Sequence, residues 1–578
     1  MNKYNNYKDS GVEWLGVIPD HWEAKRIKYY IDNEQNGVWG DEAKGNENDI
    51  VCLRVADFDR DHLITRLCDT STIRNLEINK FQSRILKHND LMIEKSGGGD
   101  NQLVGFVTRY INNAPVICSN FVAKLSLFNH VDAKYTTYLF SSLYSNKINY
   151  KSIKQTSGIQ NIDTTQYFNE VAPFPPLIEQ QQIADYLDLQ TAKIDELIQK
   201  QKKLIELLQE KKKSLINNVV TKGIRPQAVM FDTNVFNNLL DNIDLLEKLP
   251  KDIKYYITHI QCDEIMATAD SKRKKSLLDV FENLSDQCLP TKGWGLGVSR
   301  LGGFMLGSTE DSQEIKHISN DKSKHIKDAL ILLTAKYNNI TVISDDMGTP
   351  FKRAKRSDYN VMNLSDFITK YALKDSGIEW LGQIPKHWQV KKLKYLAQIR
   401  DVKQQYNLDY GYIGLENIES WTGNFLHSKE EQHIDGLANL CFAGDVLFGK
   451  LRPYLAKCMI SSKQNFCSTE ILVLKPVQLI SQLLQYDMLS ENFINDINSS
   501  TYGTKMPRAS WEYISNLKLS VPQSEEQQAI VNYLNKHTMT INKLINKAKS
   551  MVELLKEHKQ SLINHVVTGK IKVIENII

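Results

Sequence analysis

Four acidic residues in the middle of the chain carry the clearest chemical signal in this sequence. The four carboxylates are Asp232, Glu264, Asp328 and Asp346. Carboxylates that share one cleft repel each other and raise their own pKa values, so such a group is tolerated mainly where a cation neutralises it. Their oxygens suit Mg²⁺ or Mn²⁺, and either ion can activate water for attack on a phosphodiester. The set therefore predicts a metal-dependent catalytic site, with Asp345 as the alternative ligand if the register is shifted by one residue.

Short apolar runs and helical patterns alternate around these acids. Residues 228–231 predict a buried strand that ends at Asp232, and residues 340–344 predict a second strand that leads into Asp346. Helical patterns between these runs carry the other two acids. Such strand–helix alternation is typical of an α/β layer, in which the carboxyl ends of parallel strands meet at one edge of the sheet. We therefore expect Asp232 and Asp346 to lie together at that edge.

Each acid, taken alone, also has an ordinary structural interpretation. Asp232 could cap a helix, Asp328 could complement the helix dipole in a first turn, and Asp345 could hold a turn. The basic run 352–356 follows the last acid and would suit an RNA or DNA backbone. The glycine-rich run 292–303 matches no dinucleotide-binding pattern, so it predicts a lid or a docking loop.

Two stretches on either side of the acidic region occur twice. Segment 9–22 returns as segment 375–388 with three of its fourteen positions changed, and segment 214–221 returns as segment 561–568. The two offsets are 366 and 347 residues, so the body of the first copy is about twenty residues longer. The chain is therefore a tandem duplication, and the acidic region belongs to neither copy.

The duplication divides the chain into five segments, with a long helix at the end of each copy. They are a first body (1–175), a first long helix (176–224), an insert (225–373), a second body (374–522) and a second long helix (523–570). Prolines and capping residues predict where each helix begins, and Gly223 and Gly569 predict where it ends. The whole chain is thus expected to be a mixed α/β (α+β) protein of several domains.

Residues at heptad spacing mark one face of each long helix. In the first helix the two rows are Leu187, Ile194, Gln201, Leu208 and Leu215, and Gln190, Leu197, Leu204, Lys211 and Asn218. In the second helix one row is Leu534, Ile541, Ala548, Leu555 and Leu562, and the other contains Leu544 and Met551. About 40 helical residues span on the order of 60 Å. The pattern predicts that the two helices pair as an antiparallel coiled coil.

Each body also contains an irregular polar stretch of the kind that contacts nucleic acid. The candidate DNA-binding residues are Lys95, Asn101, Gln102, Lys450, Arg452, Tyr454, Lys505 and Arg508. Such side chains contact phosphates, and Lys or Arg can also read guanine edges. The alternative is that they are ordinary solvated surface residues. Their clustering on the loops of both copies favours a nucleic-acid interface.

Composition limits the class of protein. The chain has 578 residues with a net charge of +4, which is too small by itself to indicate nucleic-acid binding. The longest apolar runs are shorter than the ~20 residues of a membrane helix, so no membrane association is expected. The eight cysteines are scattered without a CxxC pair, which favours a reducing, cytoplasmic location and disfavours structural zinc.

The duplicated heads, the two bodies and the helices ending in S-L-I-N-x-V-V-T resemble the specificity subunit of type I restriction-modification systems. The resemblance covers residues 1 to about 224 and about 374 to 578. It implies two target recognition domains that read one asymmetric, bipartite site on double-stranded DNA without a cofactor. It also implies methyltransferase subunits and a translocating endonuclease (restriction) subunit as partners. The specificity subunit itself is non-catalytic in this family.

The insert resembles a PIN nuclease domain in the order of its acids. The matching pattern is a strand followed by D-T-N, then T-x5-E, K-D-A-L-I and V-I-S-D-D. The resemblance implies that Asp232, Glu264, Asp328 and Asp346 are catalytic ligands of Mg²⁺ or Mn²⁺. The substrate is not identified by it, and the basic run 352–356 would suit either RNA or DNA. Two alternatives remain open at this point. The chain could be a self-targeted nuclease that needs no methyltransferase, or the insert could be a scaffold without activity.

Overall fold

The computed structural model describes residues 3–98, 102–156, 159–292, 304–305, 307–320, 322–346, 348–356, 359–407, 409–427, 436–501 and 506–573. The chain forms two compact units. The first unit is Met1–Leu207 with Leu544–Ile578, and the second unit is Leu208–Lys543. Each unit therefore contains parts of both long helices. Within the described residues, no helix is both long enough and apolar enough to cross a membrane.

The first unit contains the first body, which is built mainly from β-sheet. A six-stranded sheet has the order Ile31–Asn36, Val122–Leu127, Leu91–Glu94, Val107–Tyr110, Ile64–Thr65 and Phe58–Asp59. A four-stranded sheet has the order Val116–Cys118, Asp49–Leu53, Ile73–Asn75 and Asp41–Glu42. A three-stranded sheet has the order Ser96–Gly97, Ile159–Ile162 and Ile153–Thr156. Two strand pairs join Tyr7–Asp9 to Val17–Pro19 and Val171–Phe174 to Glu23–Arg26. All four residues of Leu91–Glu94 are buried, as expected for a central strand.

The second unit contains the second body and the insert. One sheet of the second body has the order Ala397–Ile399, Ile471–Pro476, Val446–Gly449 and Cys458–Ile460. The other has the order Lys403–Gln405, Leu437–Cys441, Asn465–Cys467 and Tyr412–Ile413. Two strand pairs join Leu373–Asp375 to Gln383–Pro385 and Gln389–Lys392 to Lys518–Val521.

The helices of the two bodies are short except for the one that ends each copy. In the first copy they are Ala133–Ser145, Thr164–Tyr167 and the first long helix, Leu177–Lys222. In the second they are Leu393–Leu396, Ser481–Met488, Glu491–Ser499, Trp511–Asn516 and the second long helix, Ser524–Val567. The 3₁₀ turns of the chain are Ile27–Tyr29, Val55–Asp57, Ile78–Lys80, Gln82–Arg84, Ile148–Ser152, Ser323–His325, Leu415–Asn417 and Pro453–Leu455.

The insert is an α/β layer with a five-stranded parallel sheet. The strand order is Gln287–Cys288, Lys254–Ile257, Ala228–Phe231, Thr341–Ile343 and Val361–Met362. The helices are Thr233–Asp241, Ile243–Glu247, His259–Met266, Ser271–Leu284, Thr309–Ser319, Ile326–Tyr337, Thr349–Arg356 and Leu364–Tyr371. A small parallel pair joins Thr291–Lys292 to Phe304–Met305. When the five strands are numbered by their order in the chain, their order across the sheet is 3-2-1-4-5. The direction of winding therefore reverses between the first and fourth strands.

The repeated head attaches each body to its own long helix. The indole nitrogen of Trp22, which is fully buried, donates to Oε2 of Glu179 at 2.8 Å. The indole of Trp388 makes the same 2.8 Å bond to Glu526. Both glutamates lie in the first turn of a long helix. The repetition of the head sequence thus follows from a repeated structural joint.

Each unit also receives the far end of the other copy's helix. In the first unit, a Cβ added to Gly569 (φ +73°) would lie 2.4 Å from Cδ of Pro19. In the second unit, a Cβ added to Gly223 (φ +74°) would lie 3.1 Å from the indole of Trp388. Both glycines are therefore needed where the helix ends, for backbone conformation and for space.

Burial along the long helices corrects one predicted heptad row. The first row of the first helix is buried at Leu187 and Ile194, but Leu197 and Leu204 of the predicted second row are 46% and 43% exposed. The second row lies one residue later in the structure, at Thr191, Ile198, Ile205, Lys212 and Val219. The second helix shows the same shift, from Leu544 and Met551 to Ile545 and Val552. Both candidate rows contain aliphatic residues at these positions, so the sequence pattern alone did not distinguish them. Coiled-coil pairing along the whole helices stays a prediction.

Candidate acidic site and nucleic-acid interface

The insert brings its acids to the carboxyl edge of the parallel sheet. Asp232 follows the first strand, Ala228–Phe231, and Asp346 follows the fourth strand, Thr341–Ile343. These two strands are neighbours in the sheet and flank the point where the winding reverses. At such a point the connections diverge to opposite faces and leave a crevice at the strand ends. The two acids therefore lie at the place in the sheet where folds of this topology bind ligands.

Asp232 is held by polar groups from both strand ends. It is only 5% exposed and caps the helix Thr233–Asp241 through a bond from the Thr233 amide. Ser344 Oγ and Asn234 Nδ2 both donate to its Oδ2 at 2.8 Å. Because each of these bonds fixes the carboxylate, Asp232 can serve both as a cap and as a site residue.

Glu264 lies on the helix His259–Met266 and faces two partners. Thr233 Oγ1 donates to its Oε2 at 2.5 Å, and Lys327 Nζ lies 3.3 Å from its Oε1. Thr233 thereby links the residue after Asp232 to the second acid of the set. Asp328, in the first turn of the helix Ile326–Tyr337, lies beside this lysine in the chain.

The electrostatics indicate that the four acids share one environment. Burial raises the pKa of Asp232 to about 6, and the negative charges of Glu264 and Asp346 add to the effect. Burial, followed by repulsion from Asp232, Glu264 and Asp346, raises the pKa of Asp328 to about 7. The nearby Lys327 acts in the opposite direction on Asp328. Repulsion of this kind means that Glu264 and Asp346 lie within electrostatic reach of both Asp232 and Asp328.

Asp345 is engaged elsewhere. Its Oδ2 accepts from Asn238 Nδ2 at 2.7 Å, and its Oδ1 accepts from the Leu364 amide at 2.9 Å. It therefore joins two helices of the insert. Asp346 instead accepts from the Gly348 amide and acts electrostatically on Asp232 and Asp328. The structure groups Asp346, rather than Asp345, with the other three acids.

The donor set fits a hard divalent cation in chemistry but is not arranged as a finished ligand shell. Carboxylate oxygens are the ligands that Mg²⁺ and Mn²⁺ prefer, and burial together with neighbouring negative charge raises the pKa values of Asp232 and Asp328. Among the described residues, however, no three or more His, Cys, Asp or Glu side chains are placed so that they could hold a metal ion. The pairing of Glu264 with Lys327 offers a physical reason, since it turns one carboxylate towards an ammonium.

A basic helix follows the acids directly. Thr349–Arg356 carries Lys352, Lys355 and Arg356 as exposed side chains, and Arg353 Nη1 donates to the carbonyl of His317 at 3.4 Å. Positive charge beside an acidic cleft suits a phosphate backbone. The predicted lid or docking loop at 292–303 lies almost entirely outside the described residues.

In the second body the structure brings three of the predicted DNA-binding residues together. The Arg452 amide donates to the Pro507 carbonyl at 2.8 Å, and the Ala509 amide donates to the Lys450 carbonyl at 3.0 Å. These bonds place Lys450 and Arg452 beside Arg508. Arg452 and Tyr454 are both exposed. Lys505 lies outside the described residues.

In the first body the predicted residues are less free. Lys95 Nζ donates to Asn36 Oδ1 at 2.8 Å and lies 3.2 Å from Glu34 Oε1, so its charge is already paired. Gln102 is exposed on the rim of a cleft of about 630 Å³. Asn101 lies outside the described residues.

Three residues of these clefts were missed by the sequence reasoning. Arg54 and Phe121 line the cleft of the first body, and Glu470 lines a cleft of about 490 Å³ in the second, together with Lys450 and Arg508. Each of the last two residues, Phe121 and Glu470, follows a Cys-Ser dipeptide. Aligning the two copies on this dipeptide would have identified the last two positions.

Comparison with known proteins agrees with the duplicated organisation. The family described as "Type I restriction modification DNA specificity domain" matches residues 32–207 and 385–554, which is more than half of the chain. The MjaVIII type I restriction enzyme specificity subunit of Methanocaldococcus jannaschii is 26% identical over 212 residues, or 33% of this chain and 48% of the relative. The EcoDI type I restriction enzyme specificity subunit of Escherichia coli is 25% identical over 194 residues, or 32% and 43%.

The chain thus spans about half the length of the curated relatives it matches. A solved chain from work on complex assembly and conformational transition of the type I R-M system covers 96% of this chain and 99% of its own length. Its TM-score is 0.48 at 12% identity. On the family match, which includes both copies of the repeat, the chain belongs to the type I restriction modification DNA specificity family.

Proposed function

We propose that this chain is the DNA-recognition subunit of a type I restriction-modification complex and that it reads an asymmetric bipartite site on double-stranded DNA. The observation that carries the proposal is the pair of bodies, which share a framework of strands but differ in the side chains lining their clefts. Two different readers in one chain suit two different half-sites. The exposed Arg452 and the neighbouring Lys450 supply charge for the DNA backbone.

Methyltransferase subunits and a restriction subunit are the proposed partners. In this proposal those subunits carry out modification and cleavage of the DNA. The test is selection from a random duplex library with the full chain, alone and co-expressed with methyltransferase subunits. The expected result is enrichment of two unlike half-sites at a fixed spacing. Enrichment of a palindrome, or of no sequence, would count against the proposal.

We also propose that the insert is a metal-dependent nuclease of the PIN type. The strand order, the placement of Asp232 and Asp346 at adjacent strand ends and the mutual repulsion of the four acids support this proposal. Asp232, Glu264, Asp328 and Asp346 would hold Mg²⁺ or Mn²⁺. When bound, the ion would activate water and neutralise charge on a phosphodiester.

The chain's own residues would prepare this site. Ser344 and Asn234 orient Asp232, and Thr233 orients Glu264, so two carboxylates are fixed before any ligand arrives. The basic helix Thr349–Arg356 would hold the phosphate backbone of an RNA or DNA substrate. Lys327 would have to leave Glu264 for that carboxylate to bind a cation.

The experiment is cleavage of mixed RNA and DNA by the full chain with Mn²⁺. Asp232→Asn is the inactive variant, and Asp345→Asn is its matched control because Asp345 is engaged outside the acidic group. Cleavage that is lost only in Asp232→Asn would support the nuclease. Cleavage that survives in Asp232→Asn would favour a scaffold instead. So would a wild-type chain that shows no cleavage either alone or with its partner subunits.

A further inference from the structure

The clefts of the two bodies are built on the same set of backbone hydrogen bonds. The Lys95 amide donates to the Phe121 carbonyl at 2.8 Å, and the Lys450 amide donates to the Glu470 carbonyl at 2.9 Å. The next residues repeat a second bond, from the Val122 amide to Ser119 and from the Ile471 amide to Ser468, both at 2.9 Å. Phe121 and Glu470 therefore occupy the same place in the two copies.

Further bonds extend this equivalence around the clefts. The amides of Ile162 and Ala509 donate to the carbonyls of Lys95 and Lys450, at 2.9 and 3.0 Å. The residue before each amide is Asn161 in the first body and Arg508 in the second. The amides of Ser119 and Ser468 donate to Leu53 and Ile413, and the next residue is Arg54 in one copy and Gly414 in the other. One scaffold thus carries two different sets of side chains.

In the first body this scaffold presents an apolar surface. Phe121 is 50% exposed and lines the cleft with Ile159, which is 53% exposed. Gln102, Arg54 and Asn120 line the same cleft and are among its polar groups that could contact base edges. An exposed aromatic ring in a concave surface suits contact with the C5 methyl group of thymine.

In the second body the same position presents a charged pair. Arg508 Nη2 donates to Oε1 of Glu470 at 2.9 Å, so a donor and an acceptor lie side by side. Oε2 of Glu470 is buried and accepts no hydrogen bond within the part of the chain that the structure describes, so this carboxylate must turn outwards to reach a base. In the major groove, guanine presents acceptors that suit Arg, and cytosine presents an N4 amine that suits a carboxylate. The Arg508–Glu470 pair matches the two edges of one G·C pair.

We propose that Phe121 and Glu470 are specificity-determining residues for the two half-sites. Phe121 selects an A·T pair through the thymine methyl group. Glu470, with Arg508 beside it, selects a G·C pair. This inference rests on the proposed DNA-recognition function and deepens it, because it names the positions at which the two copies of one scaffold diverge in base preference.

The test exchanges the two residues. The full chain with Glu470→Phe, and separately with Phe121→Glu, is taken through selection from a random duplex library with and without methyltransferase subunits. Glu470→Phe is expected to shift one position of one half-site from G·C towards A·T by about tenfold or more, with the other half-site unchanged. Phe121→Glu is expected to disfavour A·T at one position of the opposite half-site.

Controls separate the possible outcomes. Phe121→Leu keeps an apolar side chain and is expected to keep the A·T preference, whereas Phe121→Ser replaces Phe121→Glu if circular dichroism shows that the latter is unfolded. Variants that still select a specific site but with wild-type preference at every position would overturn the assignment. A wild-type chain that enriches no sequence would overturn the DNA-recognition proposal and this assignment with it.

Discussion

The ammonium Nζ of Lys327 lies 3.3 Å from Oε1 of Glu264, so the acidic group of the insert contains its own counter-ion. Both side chains are partly exposed, at 41% and 27%. The pair is therefore accessible to a competing cation and is expected to be of modest strength. Without a metal ion, the Lys327 ammonium neutralises one carboxylate. The same ammonium opposes the binding of a metal ion.

Lys327→Met is expected to strengthen Mn²⁺ binding by the full chain, because it removes a positive charge that competes for Glu264. The change in Kd should be roughly twofold to fivefold, the range of a partly exposed ion pair. Titration followed by electron paramagnetic resonance of free Mn²⁺ measures it independently of any cleavage. Lys352→Met, on the exposed face of the basic helix, serves as the control and should change the Kd less. Weaker binding by Lys327→Met would show that this lysine supports the site.

The raised pKa values of the acidic group predict how the stability of the insert changes with pH. Burial and repulsion raise the pKa of Asp328 to about 7 and that of Asp232 to about 6, from an ordinary value of 3.8. The folded insert therefore binds more protons than the unfolded chain between about pH 4 and pH 7. Its unfolding free energy should fall as the pH rises through this window. Hydrogen exchange of the strand Ala228–Phe231 reports this free energy locally.

Asp328→Asn should stabilise that strand at pH 8, since it removes one member of a repelling group. The expected gain is on the order of 1–3 kcal/mol, and it should largely vanish near pH 4. Asp345→Asn should instead destabilise the insert at pH 8 because it weakens the acceptor for Asn238 and for the Leu364 amide. If both variants had the same effect, the four acids would not form a separate electrostatic group.

Two adjacent residues of the first long helix should respond oppositely to a charge. Ile198 is 6% exposed within the core of the first unit, so Ile198→Asp is expected to lower its stability by about 3 kcal/mol or more. Leu197 is 46% exposed, and Leu197→Asp should change the stability by about 0.5 kcal/mol or less. Thermal unfolding of the full chain followed by circular dichroism compares them. Equal losses of stability would indicate that Leu197 also faces the core.

Lys450→Ala is expected to weaken DNA binding by roughly 1–3 kcal/mol if the residue reads a base. A loss that is uniform across sequences would instead place Lys450 on a phosphate. Fluorescence anisotropy with the selected duplex and with scrambled duplexes separates these two results. Lys518→Ala, an exposed lysine on the strand Lys518–Val521, is the matched control. An unchanged Kd for Lys450→Ala would remove this residue from the interface.

Local patterns were enough to anticipate much of the insert. The apolar run before Asp232 forms a strand, and the acids at 232 and 346 lie at adjacent strand ends, because a short buried run followed by polar residues has few other solutions in an α/β layer. Lys450, Arg452 and Tyr454 lie within a few residues of chain, so their proximity follows from the sequence alone, and their contact with DNA stays a prediction.

The features that the sequence did not predict depend on contacts between residues that are distant in the chain. The second heptad row was displaced by one position because Leu197 and Leu204 are as apolar as Ile198 and Ile205, so composition alone does not distinguish the two rows. Lys212 is buried in the observed second row, and burial lowers its pKa. A lysine would not be expected at a buried position from its residue type alone. The equivalence of Phe121 and Glu470 follows from the backbone hydrogen bonds that their carbonyls accept, and only an alignment of the two Cys-Ser dipeptides could have revealed it in the sequence.

The exchange of helix ends between the two units has a consequence for biosynthesis. The core of the first unit contains Leu562, Ile563, Val566 and Val567 beside residues from the first body, so it needs a segment that is translated hundreds of residues later. In a nascent chain, part of the apolar core of the first body is therefore exposed to solvent while the insert and the second body are synthesised. During that interval the ribosome-bound intermediate is a natural client for chaperones. A message that stops before residue 544 would yield a product with that surface permanently uncovered, and cellular proteases would be expected to remove it.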